Sequence, residues 1–170
     1  QLFRDNFASR ADILSVLHRS QALANNGTFL GGKLRQHEDF NLVKLTRSKK
    51  DGELWSGALP LPDDAVLDAN LADKSLRHGF TLLLNKANHR LAPLLTLSAS
   101  MEDLYGECVG MLMAPRCNIN VYVTDRGGQG FEPHFDWMDV IVLQVKGAKT
   151  WTLYAPSPSD SEWELRRPRS

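Results

Sequence analysis

Two side chains that could bind a metal ion lie close together in the last third of the chain, His134 and Asp136, separated by Phe135. In an extended segment these two residues leave the same face of the backbone. An imidazole and a carboxylate are two of the three ligands in the 2-His-1-carboxylate sites of non-haem iron(II) oxygenases. His-x-Asp alone is common by chance, but here it follows a Gly-rich loop and precedes the apolar run Val140–Val145. That context predicts a pair at the rim of a sheet, where loops place functional groups.

Lys149, fifteen positions after His134, is a third residue whose side chain could take part in the chemistry of a site. In a strand, Lys149, Trp151 and Leu153 share one face. A lysine among apolar side chains is costly to bury unless an anion meets it. The alternative is an exposed lysine at a strand edge. A buried Lys149 near a metal pair would suit a dicarboxylic acid that binds the metal with one end and the ammonium with the other.

The first half of the chain predicts short elements joined by turns. Ser9–Arg19 has the apolar spacing of a short helix. Phe40–Leu45 is strand-like and can pair with Glu53–Trp55, since Asp51-Gly52 between them is typical of a hairpin turn. The basic run Arg47–Lys50 is therefore interpreted as a solvated turn.

The middle of the chain predicts two helices and a buried strand. Asp63 or Asp64 can cap a helix that runs to about Lys74. Phe80–Leu84 is apolar throughout and predicts a short buried strand. Ser100, followed three residues later by Asp103, resembles a capping box and predicts the start of a second helix there.

The period of the pattern changes to two in the last third, where three segments are rich in β-branched and aromatic residues. These predicted strands are Asn118–Thr124, Val140–Val145 and Thr150–Ala155. The loop after the first of them, residues 127–130, is rich in glycine. It lacks the spacing and the lysine of a phosphate-binding loop.

Composition excludes several classes of function. With 42% hydrophobic and 24% charged residues the chain is typical of a folded protein, and its formal net charge of zero gives no bulk attraction to nucleic acid. No apolar run approaches the roughly 20 residues of a membrane-spanning helix. Cys108 and Cys117 are predicted to be reduced and partly buried. Because the chain begins with Gln1 and no leader pattern follows, we expect an internal piece or a processed chain.

The stretch from about Gly79 to Pro156 resembles a known family. It contains Asn-Val-Tyr at 120–122, Gln-Gly-Phe-Glu-Pro-His-Phe-Asp at 129–136, Val-Leu-Gln at 142–144 and Gly-Ala-Lys-Thr-Trp-Thr-Leu-Tyr at 147–154. This joint spacing is similar to the core of the JmjC ribosomal oxygenases, which are Fe(II)- and 2-oxoglutarate-dependent histidyl hydroxylases. The resemblance implies an α+β, mainly β, fold: an incomplete cupin-type double-stranded β-helix, or JmjC jelly roll, preceded by a helical and hairpin region.

The resemblance also implies roles for individual residues. His134 and Asp136 match iron ligands, and Lys149 matches the lysine that pairs with the distal carboxylate of 2-oxoglutarate. Asn120 matches an asparagine that hydrogen-bonds this cosubstrate, and Tyr122 would line the same pocket. The protein supplies ligand geometry, a dry pocket and a fixed cosubstrate anion.

A third iron ligand is missing from this pattern. The other histidines, at positions 18, 37, 78 and 89, all precede His134, and none lies in a matching strand pattern. In the family the distal histidine lies well downstream, and about two further strands fit after Asp136. We therefore expect a fragment with an N-terminal region at 1–78, the first half of the JmjC domain at 79–156 and a disordered polar tail at 157–170.

Several functions stay open at this point. The leading one is hydroxylation of a protein side chain, histidyl in a ribosomal protein. The alternatives are demethylation of methylated histone lysine, a truncated interaction module without activity, and a cupin isomerase or storage-type protein that uses no 2-oxoglutarate. The resemblance implies a nuclear or nucleolar location, with the cytoplasm as the alternative. It is also compatible with a homodimer of the full-length protein.

Overall fold

A computed structural model describes residues 34–63, 65–109, 117–136, 138 and 140–155. In chain order the helices and strands of these residues are β1 (Phe40–Arg47), β2 (Leu54–Ala58), α1 (Ala69–Arg77), β3 (Thr81–Leu84), α2 (Ala92–Val109) and β4 (Val121–Thr124). A 3-10 turn covers Ala87–His89. The four strands form one antiparallel sheet in the order β2-β1-β3-β4. The predicted helix Ser9–Arg19 and the predicted tail 157–170 lie outside the described residues.

The hairpin β1–β2 forms as the sequence predicts. Its register runs from Val43 opposite Ala58 to Arg47 opposite Leu54. The turn is closed by a hydrogen bond of 2.7 Å from Ser48 N to Glu53 O. Gly52 has a φ of 78°, a left-handed conformation that costs glycine little because it has no Cβ.

The predicted buried strand at 80–84 is β3, and all four of its residues are buried. It pairs with β1 on one side and with β4 on the other. A strand that is covered on both faces reads as a continuous apolar run, which is why periodicity shows no alternation here.

The two faces of the sheet have different surroundings. One face meets the helices in a buried apolar cluster that comprises Phe40, Leu42, Leu67, Ala72, Leu76, Leu82, Leu84, Ala87, Leu91 and Leu94. Val121 and Val123 of β4 pack against this cluster. Because side chains alternate along a strand, Tyr122 of β4 and Ser56 of β2 lie on the opposite face. We call this opposite face the site face.

Helix α1 begins later than predicted. Its N-cap is Asp68, whose Oδ1 accepts a hydrogen bond of 2.6 Å from Leu71 N, so the prediction of a cap at Asp63 or Asp64 is wrong. The chain before Asp68 is held in bridges to an earlier segment. Leu67 N donates to Leu34 O and Val66 pairs with Arg35, so these residues are not free to join the helix.

The predicted capping box at Ser100 is also wrong. Helix α2 begins at Ala92, and Ser100 lies inside it with its Oγ donating to Thr96 O at 3.0 Å. Serine that bonds the carbonyl four residues earlier is a known interior conformation. Pro93 stands in the first turn, where the absence of a backbone N–H costs nothing.

Of the three strands predicted in the last third, only the first is a strand among the described residues. It is β4, shorter than the predicted Asn118–Thr124. The other two, Val140–Val145 and Thr150–Ala155, form no ladder in the described part of the chain, and their side chains are exposed. A strand needs a neighbour for its backbone groups, and within these residues the sheet ends at β2 and β4.

A four-stranded antiparallel sheet with two helices agrees with the predicted class, part of a jelly roll. The predicted boundary between residues 78 and 79 falls inside this unit, because β1 and β3 pair across it. Among the described residues, no helix is long and apolar enough to span a membrane.

Asp39, directly before β1, joins the start of the sheet to the turn after β3. Its carboxylate is 6% exposed and lies 2.7 Å from both Nε and a terminal nitrogen of Arg90. It also accepts a hydrogen bond of 2.9 Å from Arg35 N. The pair thereby ties together two segments that are 51 positions apart in sequence.

Replacing Asp39 with alanine should lower the free energy of unfolding by about 3 kcal/mol, because a guanidinium and a backbone N–H lose their partner in a largely buried place. Urea unfolding measures this. The control is Asp73→Ala, which removes an exposed ion pair to Arg77 within α1 and should cost less than about 1 kcal/mol. Equal losses for the two variants would contradict the assigned importance of Asp39.

Candidate metal centre

The segment after β4 turns back across the site face of the sheet. Gly128 N donates to Asp125 O to close the turn, and Leu45 N of β1 then donates to Gln129 O at 2.7 Å. Gly130 packs on Thr81 so closely that a Cβ on it would stand 2.9 Å from the threonine side chain. A glycine is needed here because any side chain would meet β3.

The last fixed point before the predicted metal ligands is Glu132. Its N–H donates to Ser56 Oγ of β2 at 2.8 Å, across 76 positions of sequence. Glu132 O in turn lies 2.7 Å from His134 Nδ1. The backbone at this residue is therefore bonded on both sides, once to the sheet and once to the imidazole.

The hydrogen bond of His134 decides its tautomer. A carbonyl oxygen can only accept, so Nδ1 carries a hydrogen, and in the neutral ring Nε2 then keeps its lone pair. This is the arrangement in which metal-binding histidines are held, with one nitrogen on a backbone carbonyl and the other facing the ion. His134 is exposed, and its ring lies 5.7 Å from that of Phe131.

Tyr122 on the site face is the residue around which the predicted groups gather. Its ring meets the edge of Phe131 at a centroid distance of 6.0 Å, and Lys149 Nζ lies 5.8 Å from its centroid. The pKa of Tyr122 is raised above its ordinary value, first by burial and then by the negative charge of Asp136. A hydrogen bond from Asn120 acts in the opposite direction.

Asn120 is held at the entrance of β4. Its Oδ1 accepts a hydrogen bond of 3.0 Å from Lys86 N, at a residue with a left-handed φ of 45°. Its amide group can then donate to the phenol oxygen of Tyr122, which explains why this contact lowers the pKa of Tyr122. Asn120 and Tyr122 are two positions apart, so in an extended chain their side chains lie on the same face. Asn120 is thus placed beside Tyr122.

Lys149 shares its surroundings with Trp151, as the predicted strand face implies. Its Nζ lies 4.9 Å from the Trp151 ring centroid, a cation–π distance. Of the two alternatives for Lys149, the structure has the exposed lysine, and Trp151 is exposed as well. The segment that carries them has no partner strand among the described residues, so nothing there covers the ammonium group.

Cys117 is a free thiol, as predicted, and half-buried. Burial and the nearby carboxylate of Glu102 raise its pKa above the ordinary value, so it is held as the neutral thiol. Its backbone N–H donates to Glu102 and its carbonyl accepts from Ser98, which gives it a structural environment. The side chain of Cys108 lies outside the described residues.

The donors present fit iron(II) in type and fall short in number. His134 offers a nitrogen lone pair, and Asp136 an exposed carboxylate two residues later, whose charge reaches Tyr122. Nitrogen and carboxylate oxygen are the donors of a facial triad. In the part of the chain that the structure describes, no group of three or more His, Cys, Asp or Glu side chains could hold a metal ion.

Two residues that position this centre are not visible in the sequence patterns. Ser56 and Leu45 lie on the first hairpin, far from the His-x-Asp pair in sequence, and neither belongs to a motif. The resemblance is only loose before Gly79, so it offers no signal there. The pairing of β1 with β3 brings the hairpin to the site, and this pairing follows from tertiary structure.

Part of the chain is similar to a known protein family. Residues 102–169 match the model of the JmjC domain. The bifunctional lysine-specific demethylase and histidyl-hydroxylase NO66 of Drosophila grimshawi is 43% identical over 70 residues, which are 39% of this chain and 10% of that protein. NO66 of Dictyostelium discoideum is 54% identical over 37 residues, 22% of this chain and 7% of the relative.

Ribosomal oxygenase 2 of Mus musculus is 38% identical over 61 residues, 36% of this chain and 11% of that protein. The chain thus spans about a tenth of the length of the curated relatives that it matches. No solved structure matches it. The matched residues include the site segment, so this part of the chain is similar to a JmjC domain, and the chain is similar in part to NO66 and to ribosomal oxygenase 2.

Proposed function

We propose that the protein is an Fe(II)- and 2-oxoglutarate-dependent dioxygenase that hydroxylates a protein side chain. The observation that carries this proposal is the tautomer of His134, which is bonded through Nδ1 so that Nε2 is available two residues before Asp136. The gathering of Asn120, Tyr122 and Lys149 beside this pair supports a cosubstrate site at the same place. The match to the JmjC domain supports the class of reaction.

Each residue has a defined part in this proposal. His134 and Asp136 would hold the iron, and the carboxylate would neutralise one of its charges. Lys149 would bind the distal carboxylate of 2-oxoglutarate, and Asn120 would donate a hydrogen bond to the cosubstrate. Bound iron(II) supplies the oxygen chemistry of the class. The rings of Tyr122 and Phe131, which are in edge contact, would line one side of the cosubstrate site.

The substrate that we propose is a histidyl side chain of a ribosomal protein. The names of the relatives support this choice, since one group is described as histidyl-hydroxylases and another as ribosomal oxygenases. The same names include lysine-specific demethylation, so a methylated histone lysine is the second candidate. Histidyl- and methyl-lysyl peptides offered to the same preparation would separate the two. We also propose a nuclear or nucleolar location, which fits both classes of substrate.

Replacing His134 with alanine should weaken Mn(II) binding by more than about tenfold. Loss of a residue that only hydrogen-bonds to a metal ligand already weakens metal binding by about that factor, and here the ligand itself is lost. Asp136→Ala should do the same. Electron paramagnetic resonance of free Mn(II) measures the affinity of the chain. Conversion of 2-oxoglutarate to succinate by the full-length protein gives the second readout, because we expect the fragment alone to be inactive. Both variants should abolish turnover.

The matched control is His78→Ala. His78 is also exposed and its Nδ1 also lies 2.7 Å from a backbone carbonyl, that of Lys74, but it stands outside the site. Its loss should leave Mn(II) affinity unchanged. If His134→Ala and His78→Ala had the same affinity as the unaltered chain, the metal centre would be refuted.

Replacing Lys149 with alanine should weaken 2-oxoglutarate binding by about tenfold. This is the lower end of the range of affinity loss for a hydrogen bond to a charged group, and it applies because Lys149 is exposed. Mn(II) affinity should not change. Isothermal titration with 2-oxoglutarate in the presence of Mn(II) measures the effect. Lys146→Ala is the control, an equally exposed lysine on the same segment, and an equal loss in both variants would show only a general effect of charge.

Replacing Asp136 with asparagine should lower the pKa of Tyr122, since a negative charge that opposes ionisation is removed. Tyrosinate absorbance against pH measures this, with Tyr122→Phe to identify the transition and Asp51→Asn as a distant carboxylate control. Because the pKa of Tyr122 is raised in the folded state, its contribution to the free energy of unfolding is complete below the ordinary value of about 10. This contribution is lost as the pH rises through the pKa of the folded state. In Asp136→Asn the folded value lies closer to the unfolded one, so less stability should be lost and the loss should end at a lower pH. An unchanged transition would place Asp136 away from Tyr122.

A further inference from the structure

One rung of the first hairpin holds both ends of the segment that leads to His134. Leu45 and Ser56 stand opposite each other in the β1–β2 ladder. Leu45 N donates to Gln129 O at 2.7 Å, and Ser56 Oγ accepts from Glu132 N at 2.8 Å. Because both anchors come from a single rung, the stretch Gln129–Glu132 is fixed to the sheet at two points.

The imidazole of His134 follows the second of these anchors. Glu132 receives the serine oxygen through its N–H and offers its carbonyl to His134 Nδ1. Residues 130–136 belong to no helix or strand of the described chain, so the direction of this carbonyl is not set by a ladder. The hydrogen bond to the hairpin fixes the peptide group that precedes Glu132, next to the peptide group whose carbonyl bonds the ring.

Ser56 is suited to this task by its place. It is half-buried on the site face, next to Trp55, whose ring lies over Gly57. A hydroxyl on the regular backbone of a strand is a better-defined anchor than a side chain on a loop. The other residue of this rung, Leu45, has an apolar side chain, and its backbone N–H bonds Gln129, three residues before Glu132. No other side chain at this rung can therefore replace the serine oxygen.

We propose that Ser56 is a positioning residue for the metal centre, acting through Glu132 to hold His134 with Nε2 directed away from the backbone. This rests on the proposed function as far as the metal is concerned. The orientation of the imidazole is a property of the chain alone. Ser56 lies outside residues 102–169, so the site would depend on a residue beyond the segment that matches the JmjC domain.

The test compares Ser56→Ala with Ser56→Thr, which keeps the hydroxyl. The nitrogen-15 chemical shifts of the two His134 ring nitrogens, identified by their absence in His134→Ala, report the tautomer without any metal. Ser56→Ala should move both shifts towards an even mixture of tautomers and weaken Mn(II) binding about tenfold. Ser56→Thr should restore both properties.

The control is Ser48→Ala on the same hairpin, which removes a backbone-to-hydroxyl hydrogen bond from Lys50 N and should leave the His134 signals unchanged. Unaltered signals in Ser56→Ala, or altered signals in a folded Ser56→Thr, would overturn the proposal. If Ser56→Ala does not fold, Ser56→Cys, which is similar in size and a much weaker acceptor, is compared with the threonine variant in its place. If His134→Ala leaves Mn(II) affinity unchanged, the metal function fails, whereas the ring-nitrogen shifts still decide the role of Ser56.

Discussion

The backbone hydrogen bond from Leu45 to Gln129 is the contact on which the geometry of the site depends. It joins the segment after β4 to β1 of the first hairpin. Leu45 lies beyond the residues of β1 that pair with β3, so β3 does not occupy this edge of β1. Gly130 can then lie directly on Thr81, and the chain continues across the sheet to Ser56. Together these contacts connect the loop that carries His134 to the sheet.

Charge and aromatic packing organise the other side of the site. Tyr122 lies near both a carboxylate and an ammonium group, since Asp136 raises its pKa and Lys149 lies over its ring. Two opposite charges are therefore gathered at one aromatic side chain. Because Lys149 is exposed, its ammonium group stays hydrated and its charge carries little desolvation penalty.

Local signals predicted the sheet well where they were strong. The Asp51-Gly52 turn and the apolar run before Leu84 gave the correct hairpin and the correct central strand. Helix starts were predicted poorly, because several residues of the right type compete for a cap. Asp68 has that position since the chain before it pairs with residues 34 and 35, a long-range contact that no local pattern contains. The exposed runs after residue 139 have strand composition but lack partner strands among the described residues.

The sequence by itself determined the chemistry of the candidate site. The spacing of Asn120, His134, Asp136 and Lys149 carries the resemblance and names the donors, because a side chain brings its functional group wherever it is placed. Tertiary structure decided how these groups are held. The tautomer of His134, the meeting of the charges at Tyr122 and the anchor at Ser56 arise from contacts between residues up to 76 positions apart, and such contacts leave no periodic trace along the chain.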